Sequence, residues 1–235
     1  MDATSVPAMD LPTMKMSADL VVKDVAANGD ITYDLAYTSM TAEAQPGMDP
    51  SLVATMQAAA AGITALKGTI TMSDRGINKT SALDVNQISD PNLKQVLGQL
   101  SESLNSMASP LPEEPVGVGA RWEVRQAINA AGIQSFQRMD MEVIKIEGTS
   151  VTVRVKSEQT APAQSVSNPM MPGATMDVEK MSGTGTGTLV LRLDGLVPTS
   201  ELSNTSLALM TMNMGGQTQK MGLEMKMKIS IGPKK

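Results

Sequence analysis

Histidine and cysteine are both absent from this 235-residue chain, while methionine occurs 21 times. Without imidazole or thiol the commonest general base, the thiolate nucleophile and most zinc or iron ligand sets are absent, and an enzyme would need carboxylates, lysine, serine or tyrosine. Thioether sulfur is a soft ligand, so Met170, Met171 and Met176, or Met210, Met212 and Met214, have a spacing that offers three donors to Cu(I). Most of the methionines, however, occupy positions where a strand or helix needs an apolar residue, and packing is the simpler reading. A third reading lies between these two. Flexible, polarizable side chains lining a sheet make a surface able to repack around varied apolar ligands. On that reading Met56, Leu97, Met210, Met212, Met225 and Met227 are the candidate ligand-binding residues, with no catalytic residue, no metal and no cofactor.

The other chemical candidates are weaker. Glu113-Glu114 is an adjacent acidic pair, but Pro112 and Pro115 flank it and mark a solvated linker. The run Gly183-Thr184-Gly185-Thr186-Gly187-Thr188 resembles a phosphate loop only in composition. Such loops open a helix, whereas this run leads into the apolar strand Leu189-Val190-Leu191, so a twisted strand lead-in is expected. Asn78-Lys79-Thr80 and Asn204-Thr205-Ser206 match the glycosylation acceptor pattern, a match short enough to arise by chance.

A net charge of −5 and a pI near 4.8 remove the basic footprint needed to neutralise phosphates, so no nucleic-acid partner is expected. No run of 18 apolar residues is present, and the first residues lack the basic-then-apolar layout of a signal peptide. With 41% apolar and 18% charged residues the composition is that of a folded chain. Strands rich in Thr, Ser, Gly and Ala and poor in Lys suggest an extracytoplasmic protein, periplasmic or an outer-membrane lipoprotein. An anchoring cysteine just upstream would then give peripheral membrane association.

The elements that must position these residues read as two related halves offset by about 119 residues. Gly29 maps onto Gly148, and Gly68-Thr69 onto Gly187-Thr188. At that offset Leu20, Val22 and Val25 fall on Met139, Met141 and Ile144. Self-similarity at a fixed period points to repeated supersecondary units sharing a core.

Residues 1–12 read as an N-terminal arm. Residues 13–108 form a first β-rich repeat with two helices, 109–116 a Pro-rich linker, and 117–235 a second β-rich repeat carrying a long loop at 161–180. Alternation of Met14, Met16, Ala18, Leu20 and Val22 with polar neighbours predicts a strand, and Asn28-Gly29 a hairpin turn. Asp49-Pro50 and Asp90-Pro91 each pair an N-cap with a proline at the first helical position. Further strands are expected near 68–73, 78–85, 121–127, 134–146, 150–158, 183–193, 199–213 and 218–231. The apolar phase slips between Val143 and Ile144 and between Leu209 and Met210, predicting a β-bulge in each strand.

The fold class expected is α+β and β-dominated: two tandem related curved antiparallel sheets, half-barrel-like, with two helices from the first half. The octapeptide Pro115-Val116-Gly117-Val118-Gly119-Ala120-Arg121-Trp122 resembles a junction in an uncharacterised family of bacterial secreted proteins and lipoproteins, in which Pro-Val-x-Val-Gly-x-x-Trp opens the second half. That resemblance implies an envelope address and a tandem β-rich fold, and transfers no catalytic residue. The expected function is a non-enzymatic envelope protein binding a hydrophobic ligand, a lipid or acyl chain. The alternative is a structural or protein-interaction module whose partner is another envelope protein.

Overall fold

The computed structural model describes residues 4–5, 10–61, 66–84, 111–130, 132–167, 175–214 and 217–233. They form two compact units, which divide between Leu111 and Pro112; residues 4–5 group with the second unit. Its elements are β1 (Thr4–Ser5), β2 (Thr13–Val25), β3 (Ile31–Glu43), α1 (Pro50–Ala61), β4 (Lys67–Met72), β5 (Asn78–Leu83), β6 (Arg121–Ala130), β7 (Ile133–Glu147), β8 (Ser150–Ala161), β9 (Gln164–Ser167), β10 (Thr175–Arg192), β11 (Thr199–Met214) and β12 (Gln217–Ile231).

In the first unit the strands follow the order β2-β3-β4-β5, all antiparallel. Tyr33, Leu35, Leu66 and Ile70 form its buried centre. Burial raises the pKa of Tyr33 and of Tyr37, because it disfavours the phenolate. Helix α1 starts as the Asp-Pro signal requires: the Ser51 N–H donates to Asp49 Oδ1 at 2.8 Å, which holds the Asp49 carboxyl below its usual range. The pairing of β4 with β3 stops at Ala36. Further along, the Gln57 carboxamide of α1 accepts from Ala42 N–H (2.8 Å) and donates to Met40 C=O (3.1 Å), standing in for a ladder strand. Among the described residues α1 is the single helix, and the helix expected after Asp90-Pro91 lies outside them.

The second unit is an eight-stranded sheet in the order β1-β12-β11-β10-β8-β7-β6, with β9 also paired to β10. All its pairings are antiparallel except that of β1 with β12. Neither sheet closes into a barrel. Within the arm, Thr4 and Ser5 form β1, which pairs with Met221 and Gly222. Two expectations need correction. The long loop at 161–180 contains β9 and the start of β10: after a break at Pro162-Ala163, β9 continues the line of β8 along β10 in the same register. The Gly-Thr run lies in the middle of β10, not at its lead-in, with glycines on one face and threonines on the other.

The bulges follow the phase slips only in part. One falls between Val143 and Lys145, as expected. The slip at Leu209/Met210 marks no bulge in β11; the extra residue is Glu179 in the neighbouring β10, between Val178 and Lys180. Leu209 therefore faces Lys180, and Met210 faces Val178.

Four strands of each unit follow the same order, and several of their pairs correspond, although the irregularities at Thr38, Lys79 and Glu179 are not shared. Orders β2-β3-β4-β5 and β7-β8-β10-β11 match, and both first hairpins turn through a left-handed glycine, Gly29 at φ 84° and Gly148 at φ 56°. Tyr33–Ile70 corresponds to Val153–Leu189, Leu35–Gly68 to Val155–Gly187, and Gly68–Leu83 to Gly187–Leu202. Both first strands bulge at one place, after Val22 and after Val143. By register Leu20 falls on Met141 and Val22 on Val143, two residues beyond the sequence offset; one of the two enters at the turn before β3 and the other between β3 and β4.

A methyl group at Gly187 would collide with the Glu201 carbonyl oxygen and Leu202 Cδ2, whereas one at Gly222 would meet nothing within 4 Å. Gly187→Ala is therefore expected to cost about 2 kcal/mol or more through overpacking. Gly222→Ala should be neutral or slightly stabilising. Urea denaturation of both variants checks the contrast; equal midpoints would contradict the register.

Candidate ligand-binding face

Cross-strand pairs share a face, so the registers sort every strand residue of the larger sheet onto one of two sides. One side carries all of the Asp, Glu, Lys and Arg residues of β6 to β12. On it Glu142 meets Arg121 and Arg154, both at 2.9 Å, and the two guanidiniums, Arg121 foremost, hold its carboxyl below the usual range. Glu179, at the bulge, accepts from Thr211 Oγ1 (2.7 Å) and pairs with Lys220 (2.7 Å), which places the extra residue on this same side.

The opposite side carries no charged strand residue. Its rows run across the sheet. The row Trp122–Met141–Val155–Gly187–Leu202–Ile229 belongs to the main core, where Val124, Met141, Val143, Val153 and Val155 are buried. Val116 to Ala120 lead into that core: Gly119 turns at φ 89°, its N–H donates to the Val143 carbonyl (2.8 Å), and Val143 N–H donates to the Ala120 carbonyl (3.0 Å). At the other end, pairs Val178–Met210–Met221 and Met176–Met212 form a methionine belt.

Two rows between these belts are polar and neutral. One reads Gln126–Gln137–Gln159–Gly183–Ser206–Met225, the next Val124–Met139–Ser157–Gly185–Asn204–Met227. Gln126 Nε2 donates to Gln137 Oε1 (2.7 Å), and Gln159 Nε2 donates to the buried Ser135 hydroxyl (2.9 Å). The glycines let their neighbours close over the strand: a methyl at Gly185 would meet Ser157 Oγ, and one at Gly183 would lie 3.5 Å from Asn204 Oδ1. Gln126 Oε1 and Asn204 Oδ1 are closed to solvent without a hydrogen-bond partner, each an acceptor left unmet at a cost of about 1–3 kcal/mol.

Of the candidates read from sequence, Met210 and Met212 on β11 and Met225 and Met227 on β12 lie on this uncharged face. Met210 and Met212 are half-buried, whereas Met225 and Met227 are 44% and 45% exposed. Met56 is half-buried on α1 in the other unit, and Leu97 lies outside the described residues. Sequence reasoning missed Gln126, Gln137, Gln159, Asn204 and Ser206. Their signal was the glycines at 183 and 185, but it becomes readable only once six strands are laid in register. Among the described residues no cluster of acidic side chains is placed to hold a metal ion.

A family model, described as a family of unknown function (DUF6263), matches residues 63–197, more than half of the chain. The chain belongs to this family. The DUF6263 match includes β4 through β10, so it contains the junction octapeptide and the glycines of β10; β11 and β12, with their four candidate methionines, lie beyond it. No curated protein and no solved structure matches the chain.

Met141 is 2% exposed in the core, so Met141→Ala should cost about 3 kcal/mol. Met227→Ala, on the same face but half exposed, should cost less than about 1 kcal/mol. Chemical denaturation of the two variants separates packing methionines from those free to meet a ligand; a large loss at Met227 would assign it to packing.

Proposed function

We propose that this DUF6263 chain is a non-enzymatic binding protein of the bacterial envelope, and that the uncharged face of its larger sheet holds a hydrophobic ligand, a lipid or an acyl chain. The observation that carries this reading is the row Leu223, Met225, Met227, Ile229 and Ile231 on β12. It continues the buried apolar face, yet each of its side chains remains well exposed. Contiguous exposed apolar surface marks a site of interaction, and methionine adapts to ligands of varied shape. The two units descend, on this account, from one duplicated sheet; matched strand order, bulge position and glycine pairs support that descent. The envelope address, with peripheral attachment through an upstream lipid anchor, is supported by composition and by the junction octapeptide.

A structural or protein-interaction role is the second reading, and one observation favours it. Among the described residues β1 covers only Met221 and Gly222 of β12, leaving the edge from Leu223 to Ile231 without a strand partner. An open edge of that length is a template for an added strand.

The test is to purify the full chain without detergent, extract it with organic solvent and identify lipids by mass spectrometry. Uptake of the uncharged probe N-phenyl-1-naphthylamine is measured in parallel. Bound lipid and probe uptake are expected, with both lost in Met225→Asp/Met227→Asp while circular dichroism is unchanged. A lipid-free protein that takes up no probe contradicts ligand binding and leaves the strand-edge role.

A further inference from the structure

Resting on that reading, we infer that the ligand is a non-ionic amphiphile whose polar group is a hydroxyl or amide N–H donor, held by the amides and hydroxyls that flank Gly183 and Gly185, with its chain along the methionine belt. The charge map sets the first half of this. No Lys or Arg of β6 to β12 faces the ligand side, so a phosphate or carboxylate buried there would lack a counter-charge, and desolvation alone would exclude it.

The two neutral rows set the second half. They cross the uncharged face at the height of Met225 and Met227, where its polar groups gather, and the polar groups they offer are amides and hydroxyls only: Gln137, Gln159, Ser157, Asn204 and Ser206. Side chains that served packing alone would be apolar here, since each buried polar group must find a partner. At Gly183 and Gly185 the strand adds no side chain of its own, and Gln159 and Ser157 on one flank and Ser206 and Asn204 on the other bring their polar groups in over it. Asn204 Oδ1 and Gln126 Oε1 are acceptors without a donor, so the complementary ligand group donates. Asn204 is the cross-strand neighbour of Met227, which places that acceptor beside the exposed apolar row. The last torsion of an asparagine is broad, so its carboxamide turns toward an incoming donor at small cost.

The experiment displaces bound N-phenyl-1-naphthylamine from the full chain with four competitors at pH 8: monoolein, oleate, dioleoylphosphatidylglycerol and hexadecane. Monoolein is expected to displace at about tenfold lower concentration than any of the others. Oleate should gain affinity as the pH is lowered and its carboxyl becomes neutral. Asn204→Asp, close in shape but charged, should lose about tenfold in monoolein affinity at pH 8 and recover at acid pH; Asn204→Leu should bind hexadecane and monoolein alike. Equal displacement by the charged lipids, or by hexadecane, overturns the inference while leaving hydrophobic-ligand binding standing. Failure of the wild-type chain to take up the probe overturns both.

Discussion

The structure depends on one constraint: a sheet that keeps every charge on one side must keep water from most of the other. In the larger unit, strands of up to 18 residues place their acids and bases on a single face, where they pair across strands as Arg121, Glu142 and Arg154 do. The opposite face is left to apolar and neutral groups. Its centre is satisfied by packing, with Val143, Val153 and Val178 almost wholly buried. Toward β12 the same chemistry continues without the same burial, and that mismatch between composition and exposure makes the face a site as well as a core.

Glycine makes the mismatch tolerable. Gly183, Gly185 and Gly187 alternate with threonine along β10, so the central strand contributes no side chain to the uncharged face over five residues. Neighbouring strands lean into that space, Leu202 over Gly187 and Ser157 over Gly185. A polar floor between two apolar belts results, a geometry that a leucine or valine at any of these positions would fill. The bulge at Glu179 serves the same division, since one extra residue returns Val178 and Met176 to the uncharged side.

Much of this was legible in the chain. Alternation located β2, β3, β7, β8, β11 and β12, because half-buried strands with one charged face write their period directly into the sequence. The Asp49-Pro50 signal located α1 for the same local reason. What failed was non-local. Residues 161–180 looked like a loop because Asn168-Pro169 and Pro172-Gly173 carry turn chemistry, yet the segments on either side pair with each other as β9 and β10. The slip at Leu209 points to a bulge in its own strand, because sequence does not show which of two partners holds the extra residue. The methionines were visible as a class, but the neutral rows were not. Gln137, Ser157 and Asn204 belong to different strands, and only register brings them to the same glycines.

The most direct measurement is a methyl NMR titration of the full chain, carbon-13 labelled at its methionine methyls, with a neutral long-chain amphiphile. The signals of Met210, Met212, Met225 and Met227 should shift together and saturate, while those of Met16 and Met40 on the smaller sheet stay in place. Movement at Met16 and Met40 alone, or no movement at all, would contradict the assignment of this face as the binding surface.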